Sequence, residues 1–452
     1  KMKIIIVGGG KVGYTLAQQL STEDHDITLV DNDADVLAHA DETLDVMCIK
    51  GNGASVEILK NAGVCESDVL LAVTDSDELN MICCVIGKKL GTKHTVARIR
   101  NTDYSNEYKI LIEELELDLV INPEMDAASE IAKMIQFPSA TNVETFAYNL
   151  IEMVQFRVLA SDPIVNIKLM DLNKHLPSKV LFCAVRRGEE VFIPKGNFVF
   201  DPNDLIYVIG ERGGIARFFK YLGRSSHKVK SVTIIGGSRT SVYLTWFLEQ
   251  MDLHVKIIEL DKEKCLLLND VLTETLIING DGTDQEVLDN ENIESTDAIV
   301  ALTDRDEENL ISSLYAHQCG VPKVILKINR QNYFPIVKKL GLDSIISPKF
   351  ITANNILRYV RALDNSQGIA VEKLYRILDD KAEVAEFTAK SSNDLTNIKL
   401  QDLSLKKDVL IAAIVRNKKI IIPNGNDVIK ELDKVIVVTK AGFITDLNEI
   451  LA

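Results

Sequence analysis

Cysteine is scarce and unpatterned. The seven residues (48, 65, 83, 84, 183, 265 and 319) include no CxxC pair, and no His stands at zinc-finger spacing. A structural metal site or a disulfide framework is therefore left without support, and buried thiols in a reducing cytoplasm are expected. Long hydrophobic runs are also missing: Ile4 to Val7 and Val69 to Val73 are strand-sized, far short of the ~20 residues that a membrane-spanning helix needs. No signal-peptide cleavage pattern follows Met2, so export is not expected. Positive charge is in deficit. The 51 basic side chains face 66 acidic ones, a formal net charge of −15 that repels a phosphate backbone and disfavours nucleic acid as a partner.

Catalytic signatures are missing too. The seven His fall singly, no Lys follows a GxxxxG loop, and there is no Gly-x-Ser-x-Gly elbow. What remains is ordinary globular composition, 46% apolar and 26% charged, in 452 residues. That length suits several small domains rather than one core.

The chain is written twice. Val7-Gly8-Gly9-Gly10 returns as Ile235-Gly236-Gly237-Ser238, and Gly51-Asn52-Gly53 as Gly280-Asp281-Gly282. Ala72 to Glu78 returns as Ala301 to Glu307, Ile121-Asn122-Pro123 as Ile346-Ser347-Pro348, and Ile193 to Asn197 as Ile422 to Asn426. The offset stays near about 229 residues, too long for a solenoid, so each half is expected to be a self-sufficient unit.

Within the first half, apolar strands alternate with helical stretches, among them Ser55 to Ala62, Glu78 to Leu90 and Asn106 to Leu115. This order predicts a Rossmann-like, doubly wound parallel sheet. Pro123 then opens a further helix, and from about Asn142 short strands and turns predict a small α+β domain. The expected partition is 1–137 and 229–362 for the two α/β domains, and 138–224 and 368–452 for the two small ones. Ser225 to Lys228 forms the link between the halves.

Gly8-x-Gly10-x-x-Gly13 lies where the first strand meets the first helix. The first Gly permits a tight turn, the second lets backbone approach a pyrophosphate, and the third lets helix pack on sheet. Gly9, Lys11 and Val12 fill the loop, placing the helix N-terminus towards the phosphates. Asp31 closes the second strand about 18 residues after Gly13, where a carboxylate accepts from both ribose hydroxyls and repels a 2′-phosphate. Gly51, Asn52 and Gly53 follow the third strand; they either line the adenine side or form a turn and helix cap. Thr74 and Asp75 either border the ligand or belong to a capping cluster before the next helix. Arg98 and Arg100 share a strand face and pair either with phosphates or with acidic side chains.

These motifs, a small domain after them and the whole plan again resemble the TrkA family, cytosolic regulatory subunits of bacterial Trk potassium-uptake systems built from tandem regulator-of-potassium-conductance domains. The resemblance covers essentially the full chain. It implies a homotetramer in the cytoplasm, peripheral to the inner face of the cell membrane. There it would sit beneath a potassium channel subunit of the TrkH type, with NAD(H) or ATP and ADP as regulatory ligands and no enzymatic activity. An NAD-dependent oxidoreductase or redox sensor is the alternative, prompted by the same fingerprint and by the adjacent Cys83 and Cys84. The second half departs from the pattern. Gly236 and Gly237 persist, but Ser238 and Ser241 replace Gly10 and Gly13, while Glu259 stands for Asp31 and Gly280-Asp281 for Gly51-Asn52. The added Cβ atoms predict an obstructed phosphate position and a weaker or silent second site.

Overall fold

The computed structural model describes residues 1–452 apart from 22, 24, 102, 103, 105–111, 148, 149, 225–228, 366–370, 379, 380, 441–443 and 445. The expected link Ser225 to Lys228 and residues 106–111 of the expected helix fall outside the described residues.

The first sheet is parallel and six-stranded: β1 (Lys3–Val7), β2 (Asp26–Asp31), β3 (Met47–Lys50), β4 (Val69–Ala72), β5 (His94–Arg98) and β6 (Leu119–Ile121). Their order is β3-β2-β1-β4-β5-β6. Ile4 to Val7 and Val69 to Ala72 are buried throughout, because helices cover both faces of the central strands and alternation has no solvent side to serve. The helices are α1 (Lys11–Ser21), α2 (Ala34–Thr43), α3 (Val56–Asn61), α4 (Asp77–Leu90) and α5 (Pro123–Gln136). Asp33, Ser55 and Ser76 cap α2, α3 and α4. Strand order reverses between β1 and β4, which opens a crevice at their carboxyl ends.

An antiparallel sheet follows, with β7 (Asn142–Phe146), β8 (Ile151–Arg157), β9 (Val180–Arg187), β10 (Glu190–Phe192) and β11 (Leu205–Glu211) in the order β10-β9-β11-β8-β7. It carries α6 (Leu169–Leu172) and α7 (Arg212–Tyr221). The second parallel sheet holds β12 (Ser231–Ile235), β13 (His254–Glu259), β14 (Leu276–Asn279), β15 (Ala298–Ala301), β16 (Lys323–Lys327) and β17 (Ile345–Ile346). Its order, β14-β13-β12-β15-β16-β17, repeats the first. Its helices are α8 (Arg239–Glu249), α9 (Lys262–Val271), α10 (Gln285–Asn290), α11 (Asp306–Gln318), α12 (Phe334–Lys339) and α13 (Pro348–Asn365). The last sheet, β18 (Val371–Ile377), β19 (Ala382–Thr388), β20 (Val409–Arg416), β21 (Lys419–Ile421) and β22 (Lys434–Thr439), has the order β18-β19-β22-β20-β21. Both small sheets use the same fork: Arg187 grips Asp204 at 2.8 and 2.7 Å, and Arg416 grips Asp433 at the same two distances.

The halves are not self-sufficient. One compact unit joins Lys1–Ala132 to Lys230–Asp364, and the other joins Lys133–Val229 to Asn365–Ala452. In the first unit, α13 of the second half places Ala353, Ile356, Leu357 and Val360 in the core formed by Ile4, Ile6, Leu16 and Leu71. Spaced i, i+3, i+4 and i+7, they form one apolar stripe, and burying each large side chain is worth about 1.5–3 kcal/mol. Polar links flank the stripe. Asn355 Nδ2 donates to Asp126 Oδ2 at 2.7 Å, Arg361 pairs with Glu23, and Asn122 Nδ2 donates to the Tyr243 hydroxyl at 3.0 Å. In the other unit, Phe146, Ile151 and Met153 share a core with Val384, Ala412 and Ile436, and Phe146 meets Tyr375 edge to face at 4.7 Å.

Candidate functional site

The glycine loop leaves β1 with Gly8 at φ +102°, where a Cβ would stand 2.9 Å from the Thr74 backbone nitrogen. A Cβ at Gly13 would meet the Gly8 carbonyl oxygen at 1.8 Å, so α1 starts hard against the turn that precedes it. Gly10 is different: a Cβ there has nothing within 4 Å and faces open space. Asp31, at the end of β2, accepts from Gly9 N–H at 2.6 Å and from Asp33 N–H at 2.8 Å. Its carboxylate thus fixes the loop while keeping lone pairs for further donors. Among the described residues, no side chain accepts from the first N–H groups of α1, and Lys11 and Val12 line a cavity.

A second loop, after β4, forms another wall. Thr74 donates through its N–H and its hydroxyl to Asn80 Oδ1, at 2.8 and 2.7 Å. Asn80 Nδ2 in turn donates to the carbonyls of Arg98, at 2.8 Å, and Thr74, at 3.1 Å. The fully buried Asn80 is therefore the pin between β4 and β5. Ser76 caps α4, accepting from Leu79 N–H at 3.1 Å, which frees Asp75 to pair with the Arg98 guanidinium at 2.7 Å. Asp77 accepts from the N–H groups of Arg100 and Asn101 at 2.9 and 2.8 Å.

These loops enclose a cavity of about 670 Å³, within the usual range for a small-molecule site. Of the residues expected from sequence, Gly8, Gly10, Lys11, Val12, Asp31, Gly51, Gly53, Thr74, Asp75, Arg98 and Arg100 line it. Gly9, Gly13 and Asn52 do not. Gly9 is spent on Asp31, Gly13 is packed on Gly8, and the Asn52 side chain accepts from Ala54 N–H at 2.9 Å. Sequence reasoning missed Asn80, and also Glu124, Asn329, Pro348 and Lys349, which line the same cavity. Asn80 had a readable signal, since Asn309 stands at its place in the repeat and pins Thr303 in the same way.

The lining mixes the cations Lys11, Arg98, Arg100 and Lys349 with the carboxylates Asp31, Asp33, Asp75 and Glu124, and Asp75 pairs with both arginines. Burial, followed by the neighbouring Arg100, pushes the Arg98 guanidinium below its ordinary value, and burial pushes the Glu124 carboxyl up. Lys349 is lowered by burial and then by Lys11. Buried polar atoms without a hydrogen-bond partner include Arg98 Nε, Arg100 Nε and Glu124 Oε2, although Arg100 Nε lies 3.7 Å from Asp77 Oδ1. Uncapped helix N–H groups, a glycine that leaves room, a carboxylate at the end of β2 and clustered cations fit a nucleotide, with ribose at Asp31 and phosphates at α1. Among the described residues, no group of three or more His, Cys, Asp or Glu side chains is placed to hold a metal.

The second loop has the same start and a different end. Gly236 has φ +94°, and Glu259 accepts from Gly237 and Asp261 N–H groups at 2.6 and 2.7 Å, as Asp31 does. There Ser238 and Ser241 form a reciprocal capping box, at 3.3 and 3.2 Å, and Ser241 Oγ donates to the Gly236 carbonyl at 2.6 Å. The hydroxyls occupy N–H groups that the first loop leaves open. Ser241 is wholly buried and α8 forms normally, so the substitution is accommodated rather than merely obstructive. Glu259 is buried, and Gly280 opens a turn in which Asp281 accepts from Thr283 N–H and hydroxyl at 2.8 and 2.7 Å.

Comparison with known proteins agrees with this architecture. A model of the TrkA-N domain matches residues 4–123 and 232–348, and one of the TrkA-C domain matches 153–223 and 384–452. The chain is 32% identical to the Trk system potassium uptake protein TrkA homolog 2 of Methanosarcina mazei, over 99% of this chain and 100% of that one. It is 33% identical to the Trk system potassium uptake protein TrkA of Halomonas elongata, over 99% and 97%. Among solved structures, the GsuK channel matches with a TM-score of 0.64 at 16% identity, covering 98% of this chain and 77% of that one. The GsuK channel bound to NAD matches with a TM-score of 0.63 over the same shares.

Proposed function

The chain belongs to the TrkA family, and from that premise we propose that it is a nucleotide-binding regulatory subunit of a membrane potassium-uptake system. The observation that carries this reading is the cavity at the carboxyl ends of β1 and β4, where uncapped α1 N–H groups, Asp31 and the cations Lys11, Arg98 and Arg100 converge. Adenine nucleotide, as NAD(H) or as ATP and ADP, binds there with its ribose diol on Asp31 and its phosphates on α1. The subunit acts without catalysis. Four copies assemble at the inner face of the cell membrane on a potassium channel of the TrkH type, each built from domains 1–137, 138–224, 229–362 and 368–452. Among the described residues no helix is long and apolar enough to cross a membrane.

An NAD-dependent oxidoreductase or redox sensor is the competing reading, and Cys83 and Cys84 are its motive. Both thiols are fully buried, and burial pushes Cys83 up to about 12 and Cys84 higher still, which holds them protonated and unreactive. Side-by-side titration of NADH, NAD, ATP and ADP, followed by channel flux with each, tests the proposal. Nucleotide recovered unchanged together with altered flux supports it; oxidation of NADH at an enzymatic rate refutes it.

A further inference from the structure

The cavity of the first half is partly walled by the second. Pro348 and Lys349, which open α13, line it together with Pro123 and Glu124, which open α5. These are the same two positions of the repeat, and the sign of the charge is reversed between them. A first-turn position favours a carboxylate, because the helix N-terminus is the positive end of its dipole. Glu124 obeys that rule and Lys349 breaks it.

We propose that Lys349, supplied by the second half, holds the terminal phosphate of a nucleoside polyphosphate bound in the first half, together with Lys11. This deepens the nucleotide-site reading and rests on it. Three observations support the role. Among the described residues no carboxylate is paired with the Lys349 ammonium; its recorded contact is the Phe350 ring at 5.8 Å. The Lys11 ammonium is near enough to depress Lys349, so two like charges share one cavity and gain when an anion lies between them. Asp306, the acidic group whose field reaches Lys349, is already held by Asn329 and Arg330 N–H groups at 2.8 and 2.9 Å. The buried Arg98, paired with Asp75 through its terminal nitrogen and with Nε left without a hydrogen-bond partner, lines the same cavity and adds a further cation to the two ammoniums.

The ligand chemistry follows from charge. A triphosphate ends in a phosphate that carries up to two negative charges, which two ammoniums can share, whereas the diphosphate of NADH is internal and continues into a neutral nicotinamide riboside. Calorimetric titration of the full chain with ATP and with NADH, in parallel for the unmodified protein, Lys349→Gln and Lys349→Arg, tests the assignment. Lys349→Gln should weaken ATP about tenfold or more and NADH less than about twofold, and Lys349→Arg should restore ATP to within about threefold. Equal weakening of both ligands, or of neither, overturns the Lys349 role while leaving the site in place. Binding of NADH without ATP by the unmodified protein also overturns it. If the unmodified protein binds neither, the nucleotide-site reading falls, and this inference with it.

Discussion

The loops β1–α1 and β12–α8 leave their strands in the same way. Each has a glycine at positive φ and a following glycine held by a carboxylate from the next strand, and each faces a fourth-strand loop pinned by an Asn of the helix that follows it. They part where the helix begins. In the first half the N–H groups stay open beside a cavity, while in the second half Ser238 and Ser241 satisfy them internally. The cations part as well: Arg98 and Arg100 of the first half are answered by Lys327 and Asn329. The field of Lys11 falls on another cation, Lys349, whereas that of its counterpart Arg239 falls on the carboxyl of Glu124. If the second site is silent, as we propose, it is so without being blocked. The groups that would hold the ligand there already have partners from the chain.

The largest expected effect tests which loop works. Gly10→Asp has room for its side chain but sets a carboxylate among the phosphates, costing about 3 kcal/mol or more, about a hundredfold in affinity, with little change in melting temperature. Ser238→Asp in the second loop keeps a good cap and should leave binding untouched, and calorimetry of the parent should find one tight nucleotide per chain. Binding lost in Ser238→Asp and kept in Gly10→Asp would reverse the assignment.

A second contrast lies at the start of the fifth strand. His94 pairs register with Val69 and stands partly exposed, 3.6 Å from an Asp118 oxygen, whereas its counterpart Lys323 is fully buried with Nζ 2.9 Å from Ser344 Oγ. Burial lowers Lys323 to about 7 from 10.5. Between those values the unfolded chain binds the proton that the folded chain lacks, so stability rises with pH and is lost as pH falls towards 7. Lys323→Met should remove that slope, worth on the order of 2–4 kcal/mol between pH 10.5 and 7. Parallel pH dependence of melting in parent and variant would refute the cause.

Asp31→Ala should cost about 1.5–3 kcal/mol of nucleotide binding, more than about tenfold, because ribose hydroxyls and Gly9 N–H lose a charged acceptor. Glu259→Ala removes the matching bond to Gly237 and should lower the melting temperature without changing nucleotide affinity. Equal effects of the two on affinity would show that both halves bind. The smallest contrast is in the caps. Ser238→Ala should lose about 1 kcal/mol of stability and Gly10→Ala only a few tenths, read from denaturant midpoints, and a reversed order would place the working cap in the first loop.

Much of the site was legible because its parts lie within short stretches of chain. The glycine spacing, Asp31 at a strand end and the repeated Thr74-Asp75 motif each depend on one strand–loop–helix unit. Asn80 escaped because a buried Asn inside a helix looks like any polar helical residue until its amide meets the Arg98 carbonyl. All seven thiols are expected to be buried, but Cys65 is exposed on a short helical turn and Cys48 and Cys319 are half-buried.

The sequence by itself determined the duplication, the parallel sheets and the carboxylates that close the second strand of each half, because apolar periodicity and turn chemistry act over neighbouring residues. Only the tertiary structure decided that the two α/β domains share one unit, that α13 closes the core of the first sheet, and that Lys349 joins a cavity begun by Lys11. The stripe Ala353, Ile356, Leu357 and Val360 states that α13 must bury one face. Hydrophobic burial is non-directional, so the stripe does not name the sheet that covers it; that choice is made by the shape and the polar links of the partner face, hundreds of residues away.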